Sequence, residues 1–224
     1  MAARRSGGLL AALALCASAA CTPGGGGGLS GSGPTPVPEP PSVQNLPRGV
    51  AIHGHGTSQT DDIVPQFDTG LTEGIDLVTL THDGRSTFIV SATEGDQTEL
   101  LTSAIGAYSG QRPLVVQGPV SFQVTADGTW TVRVQPMARG GSPAFSGTGD
   151  AVSAYFTPPT STAAWSVSHD GRSAFFVYAH CVGGSIVVED RTGAVQDTAQ
   201  ITFSRGPCFW EVRADGAWSL TPPP

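Results

Sequence analysis

Thr81-His82-Asp83-Gly84-Arg85-Ser86-Thr87-Phe88-Ile89-Val90 is met again as Ser168-His169-Asp170-Gly171-Arg172-Ser173-Ala174-Phe175-Phe176-Val177, 87 residues on (81 to 168). A second stretch, Phe122-Gln123-Val124-Thr125-Ala126-Asp127-Gly128-Thr129-Trp130, returns as Trp210-Glu211-Val212-Arg213-Ala214-Asp215-Gly216-Ala217-Trp218, 88 residues on (122 to 210). Offsets that agree within one residue mark one unit copied, and a fixed-period repeat has to be recognised before any other fold assignment. The duplication also supplies a control. A residue needed only for folding should keep its chemical type in both copies.

Each copy reads as short alternating segments around Asp-Gly pairs. Ile75 to Thr81 and Ser86 to Ala92 flank Asp83-Gly84, and Val120 to Thr125 and Thr129 to Gln135 flank Asp127-Gly128. Copy two repeats this around Asp170-Gly171 and Asp215-Gly216. Asp-Gly between alternating strands predicts a tight hairpin turn with positive φ, hence two hairpins per copy. Trp130, Val132 and Val134 fall on one face of their strand, and Thr131, Arg133 and Gln135 on the other. Further strands are expected at Ile63 to Phe67, Glu99 to Ser103, Pro113 to Val116, Val152 to Phe156, Ser185 to Glu189 and Ala199 to Phe203. No segment keeps a helical period.

This pattern predicts an all-β chain of two tandem small antiparallel β-sandwiches, residues 48–137 and 144–221, joined at the Gly/Pro stretch 138–143. A single larger sandwich sharing strands is the alternative. The start of each unit matches too, Ala51-Ile52-x-Gly54-x-Gly56 with Ala144-Phe145-x-Gly147-x-Gly149. Pairing Asp61 with Asp150 then requires a four-residue insertion in copy one, Thr57 to Thr60.

Residues 1–20 read as an export signal: Arg4 and Arg5, then an apolar run from Leu9 to Ala20 that is too short to span a bilayer. Ser18-Ala19-Ala20-Cys21 resembles a bacterial lipobox, with Cys21 as the acylated residue; ordinary cleavage and secretion is the alternative. Residues 21–47 are dominated by Gly, Pro and Ser and predict a disordered tether. Its residues 22–47 would reach about 80 Å at about 3.1 Å each. The expected location is the extracytoplasmic side of a bacterial membrane, held through lipid.

Loss of Arg4 and Arg5 takes the formal charge from −7 to −9. No basic patch remains, which argues against nucleic acid as a partner. The chain has no lysine, which removes Schiff-base chemistry and the lysine of a phosphate-binding loop. Cys181 and Cys208 are left in an oxidising compartment and are predicted to form one disulfide. Both are additions of copy two, standing where copy one has Glu94 and Val120.

The runs T-H-D-G-R-S-x-F-x-V and G-P-x-x-F-x-V-x-A-D-G-x-W resemble repeats of uncharacterised secreted and lipid-anchored bacterial proteins. In those a G-x-Y-x-G stretch precedes the last hairpin, here Gly106-Ala107-Tyr108-Ser109-Gly110. The resemblance implies an extracytoplasmic β-domain and carries no activity.

His82 and His169 each stand beside an aspartate, yet no G-x-S-x-G elbow accompanies them. Their expected role is to bond turn backbone. His53 and His55 lie two apart on one strand face and could approach a cation with Asp61 and Asp62, but a clear third ligand is missing. No metal and no cofactor is expected. The tryptophans fall where the other copy accepts Val, Phe or Trp, which marks interior positions. Tyr108 is the best candidate for an exposed aromatic contact. The reading is a lipid-anchored, non-catalytic surface protein that binds a polysaccharide or an exported protein. A structural envelope module without ligand, and an extracytoplasmic hydrolase, are the alternatives.

Overall fold

A computed structural model describes residues 39–63, 74–158, 162–204 and 206–224. Cys21, the tether up to residue 38, and Phe67 fall outside them. Among the described residues there is no helix, and every strand pairing is antiparallel. Copy one contains β1 (Ser42–Leu46), β2 (Gly49–His55), β3 (Ser58–Gln59), β4 (Ile75–His82), β5 (Thr87–Glu94), β6 (Gln97–Ile105), β7 (Tyr108–Val115), β8 (Ser121–Thr125) and β9 (Thr129–Pro136). Copy two contains β10 (Phe145–Thr148), β11 (Ala151–Val152), β12 (Thr162–His169), β13 (Ala174–Cys181), β14 (Gly184–Thr192), β15 (Val195–Thr202), β16 (Cys208–Arg213) and β17 (Ala217–Thr221).

The sheets run β1-β2-β9-β4-β7 and β3-β8-β5-β6 in copy one, and β10-β17-β12-β15 and β11-β16-β13-β14 in copy two. Apart from β1, the second pair repeats the first strand for strand. Each copy closes its own apolar cluster between its two sheets. No sheet contains strands of both copies, so the chain forms two sandwiches rather than one. Trp130, Trp165, Trp210 and Trp218 are all buried, as the duplication implies. Each ring removes roughly 200 Å² from water, on the order of 5 kcal/mol gross.

The shared G-x-G has a packing cause. A Cβ on Gly54 would sit 2.2 Å from the Trp130 ring, and one on Gly147 2.9 Å from Trp218. Gly56 and Gly149 have positive φ, and their carbonyls accept the indole N–H of Trp130 at 2.8 Å and of Trp218 at 2.7 Å.

The Asp-Gly turns are not hairpins. β4 and β5 lie in opposite sheets, as do β8 and β9, so these turns carry the chain across the sandwich. None of Gly84, Gly128, Gly171 and Gly216 has positive φ. The signal arises from proximity instead. Asp83 accepts the Thr129 N–H at 2.7 Å, while Asp127 accepts those of Arg85 and Ser86 at 3.1 and 3.0 Å. The two corners cap each other, and a Cβ on Gly84 would meet Asp127 Oδ1 at 2.1 Å. Asp170 and Asp215 do the same in copy two. The hairpins of the two units lie elsewhere, at Gly95 between β5 and β6 and at Gly183 between β13 and β14.

Two further expectations are corrected. Residues 42–46 belong to β1, paired along β2 from Ser42↔His53 to Leu46↔Gly49, and not to a disordered tether. Composition missed this because the strand buries little; it is held by the backbone ladder of an otherwise open edge. The counterpart of Asp150 is Thr57, not Asp61. Thr57 Oγ1 accepts the Ala126 N–H at 3.3 Å, as Asp150 Oδ1 accepts that of Ala214 at 2.9 Å. Thr60 and Ser153 likewise match, receiving the N–H of Phe122 and Trp210. The extra residues of copy one therefore fall between Ile63 and Ile75.

β7 and the start of β11 fasten the sandwiches together. Arg112 is buried; its Nη2 donates to Asp150 Oδ2 at 2.8 Å and its Nε to the Leu101 carbonyl at 2.8 Å. The Tyr108 hydroxyl donates to the same Asp150 oxygen at 2.7 Å. Gln111 exchanges bonds with the Asp150 carbonyl and the Val152 N–H. Met137, Val152, Tyr155 and Phe209 form a small apolar cluster beside this knot, with Ile75 and Leu77 against it.

Candidate functional site

Where the copies agree, the residues explain the fold. The copies also differ at many places, core-side and joint positions among them, and one group of differences shares a single surface. The outward side of β5, β6 and β8 in copy one presents Ser91, Thr93, Thr98, Ser121, Gln123 and Thr125. The equivalent positions on β13, β14 and β16 are Tyr178, His180, Ser185, Phe209, Glu211 and Arg213. Five of these six neutral polar positions have become aromatic or charged, while the sixth, Thr98, is answered by another hydroxyl, Ser185. This face turns toward copy one, and the space between them is a cleft of about 690 Å³ whose other wall includes Ile75, Glu99, Pro113 and Val115.

Within the cleft the rings of Tyr178, His180 and Phe209 form a file, with centroids 5.9 and 4.7 Å apart. The Arg213 guanidinium lies 5.9 Å over the Tyr178 ring. Phe209 belongs to the apolar cluster of the joint, so it anchors one end of the file. Glu211 is buried, and both its oxygens are used: Oε1 accepts the Arg213 Nε–H at 2.9 Å and lies 2.8 Å from its Nη2, and Oε2 lies 2.9 Å from His180 Nε2. Burial opposes ionisation of Glu211, but the His180 hydrogen bond and the Arg213 charge outweigh it and hold its pKa below the usual value. Glu99, on the opposite wall, is shifted upward by burial and by the Glu211 charge. On the far side of the imidazole, His180 Nδ1 is 2.7 Å from Ser185 Oγ.

The Cys181–Cys208 disulfide forms as expected and borders the cleft. It ties β13 to β16 at the end of their ladder, where Cys181 pairs with Cys208.

The residues singled out from sequence lie elsewhere. His82 and His169 are buried, and their Nδ1 atoms donate to the carbonyls of Gly106 and Gly193 at 2.9 Å. Their Nε2 atoms approach Asp127 and Asp215 at 3.2 and 3.3 Å, too poorly aligned for hydrogen bonds. Both rings stack on a phenylalanine at 7° between planes. They are parts of the corner, as read. Tyr108 is not an exposed contact: it is half-buried, its hydroxyl is committed to Asp150, and burial pushes its pKa up to about 12. Glycines on either side suggested a loop, but Tyr108 begins β7 at the joint. His53 and His55 are exposed on β2, with His53 Nδ1 3.1 Å from Thr131 Oγ1, and Asp61 and Asp62 are exposed beyond β3. Among the described residues no three His, Cys, Asp or Glu side chains converge on a metal-binding arrangement.

Compared with known proteins, the chain matches no family model and no curated protein. The site therefore stands on its geometry alone. A signal for it existed in the sequence. Along β13 and β16, the positions where a neutral polar residue of copy one becomes aromatic or charged in copy two are alternate residues (178, 180; 209, 211, 213), which share one face of a sheet.

Proposed function

We propose that this chain is a lipid-anchored binding protein of the bacterial envelope, with the cleft between its sandwiches as the ligand seat. The observation that carries the reading is the collection of copy-two departures on that single face. A purely structural module has no need for five coordinated aromatic and charged replacements there, because copy one folds with Ser, Thr and Gln at the same places. Aromatic faces beside paired carboxylate and guanidinium groups suit a polyhydroxylated ligand, which offers C–H faces for stacking and hydroxyls for charged partners. A polysaccharide of the envelope or its surroundings is the partner class favoured. Lipid at Cys21 would hold the chain at a membrane surface.

The test uses the mature chain on a glycan array and on purified cell-wall polysaccharide. Retention of one glycan that falls at least tenfold in Tyr178→Ala, with the melting curve unchanged, supports the reading. Retention indifferent to Tyr178→Ala and Arg213→Ala, or none on any glycan, overturns it. Palmitate labelling that persists in Cys21→Ala would remove the anchor.

A further inference from the structure

We propose that Ser185, His180 and Glu211 form a nucleophilic relay that cleaves carboxylic esters in the cleft. An ionised carboxylate can only accept. Glu211 Oε2, 2.9 Å from His180 Nε2, therefore fixes the ring proton on Nε2. In the neutral ring Nδ1 is then bare, and its hydrogen bond to Ser185 Oγ at 2.7 Å is as acceptor of the hydroxyl proton. This is the tautomer that a general base needs, held by a buried carboxylate whose remaining oxygen is fixed by Arg213. The relay uses the opposite ring nitrogens from the familiar serine hydrolase arrangement, which leaves the proton logic unchanged.

The surroundings suit the chemistry. Ser185 is exposed at the first turn of β14, directly after Gly184, whose missing side chain leaves open space on the approach. Ile75, Pro113 and Val115 give the facing wall an apolar surface for an acyl chain. Copy one has Thr93 and Thr98 paired at 3.1 Å in place of His180 and Ser185, and Gln123 in place of Glu211. The imidazole and the carboxylate are thus both absent from copy one, which keeps only a hydroxyl at Thr98.

Oγ would attack the ester carbonyl carbon while its proton passes to His180 Nδ1. Collapse of the adduct breaks the bond to the alcohol oxygen, which takes that proton and leaves an acyl group on Ser185. Water then attacks the acyl carbon, giving one proton to Nδ1; on collapse that proton returns to Oγ and the carboxylic acid departs. Ser185 and His180 act on the reacting atoms, and Glu211 is a positioning residue.

The experiment treats the full mature chain with a fluorophosphonate probe and follows p-nitrophenyl butyrate hydrolysis. One label per chain is expected, on the peptide carrying Ser185, with its loss in Ser185→Ala and a fall in kcat of about 100-fold or more in His180→Ala. Glu211→Gln should lower kcat with KM little changed, and Glu211→Asp should restore part of it, which a merely structural glutamate would not do. No labelling of a folded chain, or equal hydrolysis by Ser185→Ala, overturns the proposal. The relay shares its cleft with the binding reading but fails separately: Ser185→Ala should abolish labelling while glycan retention persists.

Discussion

His82 and His180 both lie beside a carboxylate, yet the first belongs to the scaffold and the second to the cleft. At the corner, Nδ1 of His82 donates to a backbone carbonyl, the ring is sealed against Phe88, and no hydroxyl reaches it. On the sheet face, His180 lies between a carboxylate and a hydroxyl, and its side chain is 23% exposed. The first arrangement is present in both sandwiches, down to a 2.9 Å bond in each. The second is present in one. A His–acid pair is thus uninformative by itself. What the second ring nitrogen touches, and whether solvent can reach it, separates a strut from a base.

Four measurements press on this division, beginning with the strongest. Arg112→Ala strips the joint of its buried cation and leaves Asp150 uncompensated, at a cost of about 3–5 kcal/mol. Calorimetry should then resolve two transitions where the parent is expected to show one; a single unshifted transition would refute the fastening role. Next, Cys181→Ser with Cys208→Ser should lower the stability of copy two by roughly 3 kcal/mol, given the 27-residue separation. With the joint intact, both copies should still unfold together, at a lower temperature.

The third compares the histidines directly. His82→Ala opens a cavity beside Phe88 and orphans the Gly106 carbonyl, so a loss of about 2–4 kcal/mol is expected in urea titration. His180→Ala, in the cleft, should cost under about 1 kcal/mol; equal losses at both positions would erase the distinction. The smallest effect concerns Asp76, which is buried, has one oxygen without a partner, and faces the copy-one core where copy two has Ala163. Burial raises its pKa from 3.8 to about 6. The folded state holds this proton more tightly than the unfolded chain does. The resulting stability is full below about pH 4 and lost as pH rises through about 6, on the order of 1–2 kcal/mol. Asp76→Ala should flatten that slope between pH 4 and 7. Asp127 and Asp215 act in the opposite sense: backbone N–H groups, those of Arg85 and Arg172 foremost, lower their pKa, so their contribution is lost only as pH falls below about 4.

The fold was legible because period-2 alternation and duplication are both local properties of the sequence. Trp165 and Val78 occupy one position, so burial followed from interchangeability. The turns were misread for a specific reason. Asp83-Gly84 carries the letters of a hairpin, but its glycine is demanded by a carboxylate arriving from Asp127, 43 residues later in the chain, and local sequence cannot report that partner. The cleft was missed for another reason. Ser185, His180 and Glu211 sit on three strands, and their convergence depends on the β13–β14 and β13–β16 registers. No short motif encodes such a triplet. The copies differ at all three positions, and that difference was the available clue.

The joint, finally, sets a limit on growth. Arg112 and Tyr108 make a socket, and Asp150 is the plug. In copy two the socket positions hold Ala199 and Val195, and in copy one the plug position holds Thr57. Head-to-tail addition of a third unit, or stacking of whole molecules through this contact, would find neither half of the fastening. The duplication therefore carries this fastening once, and neither outer face repeats it.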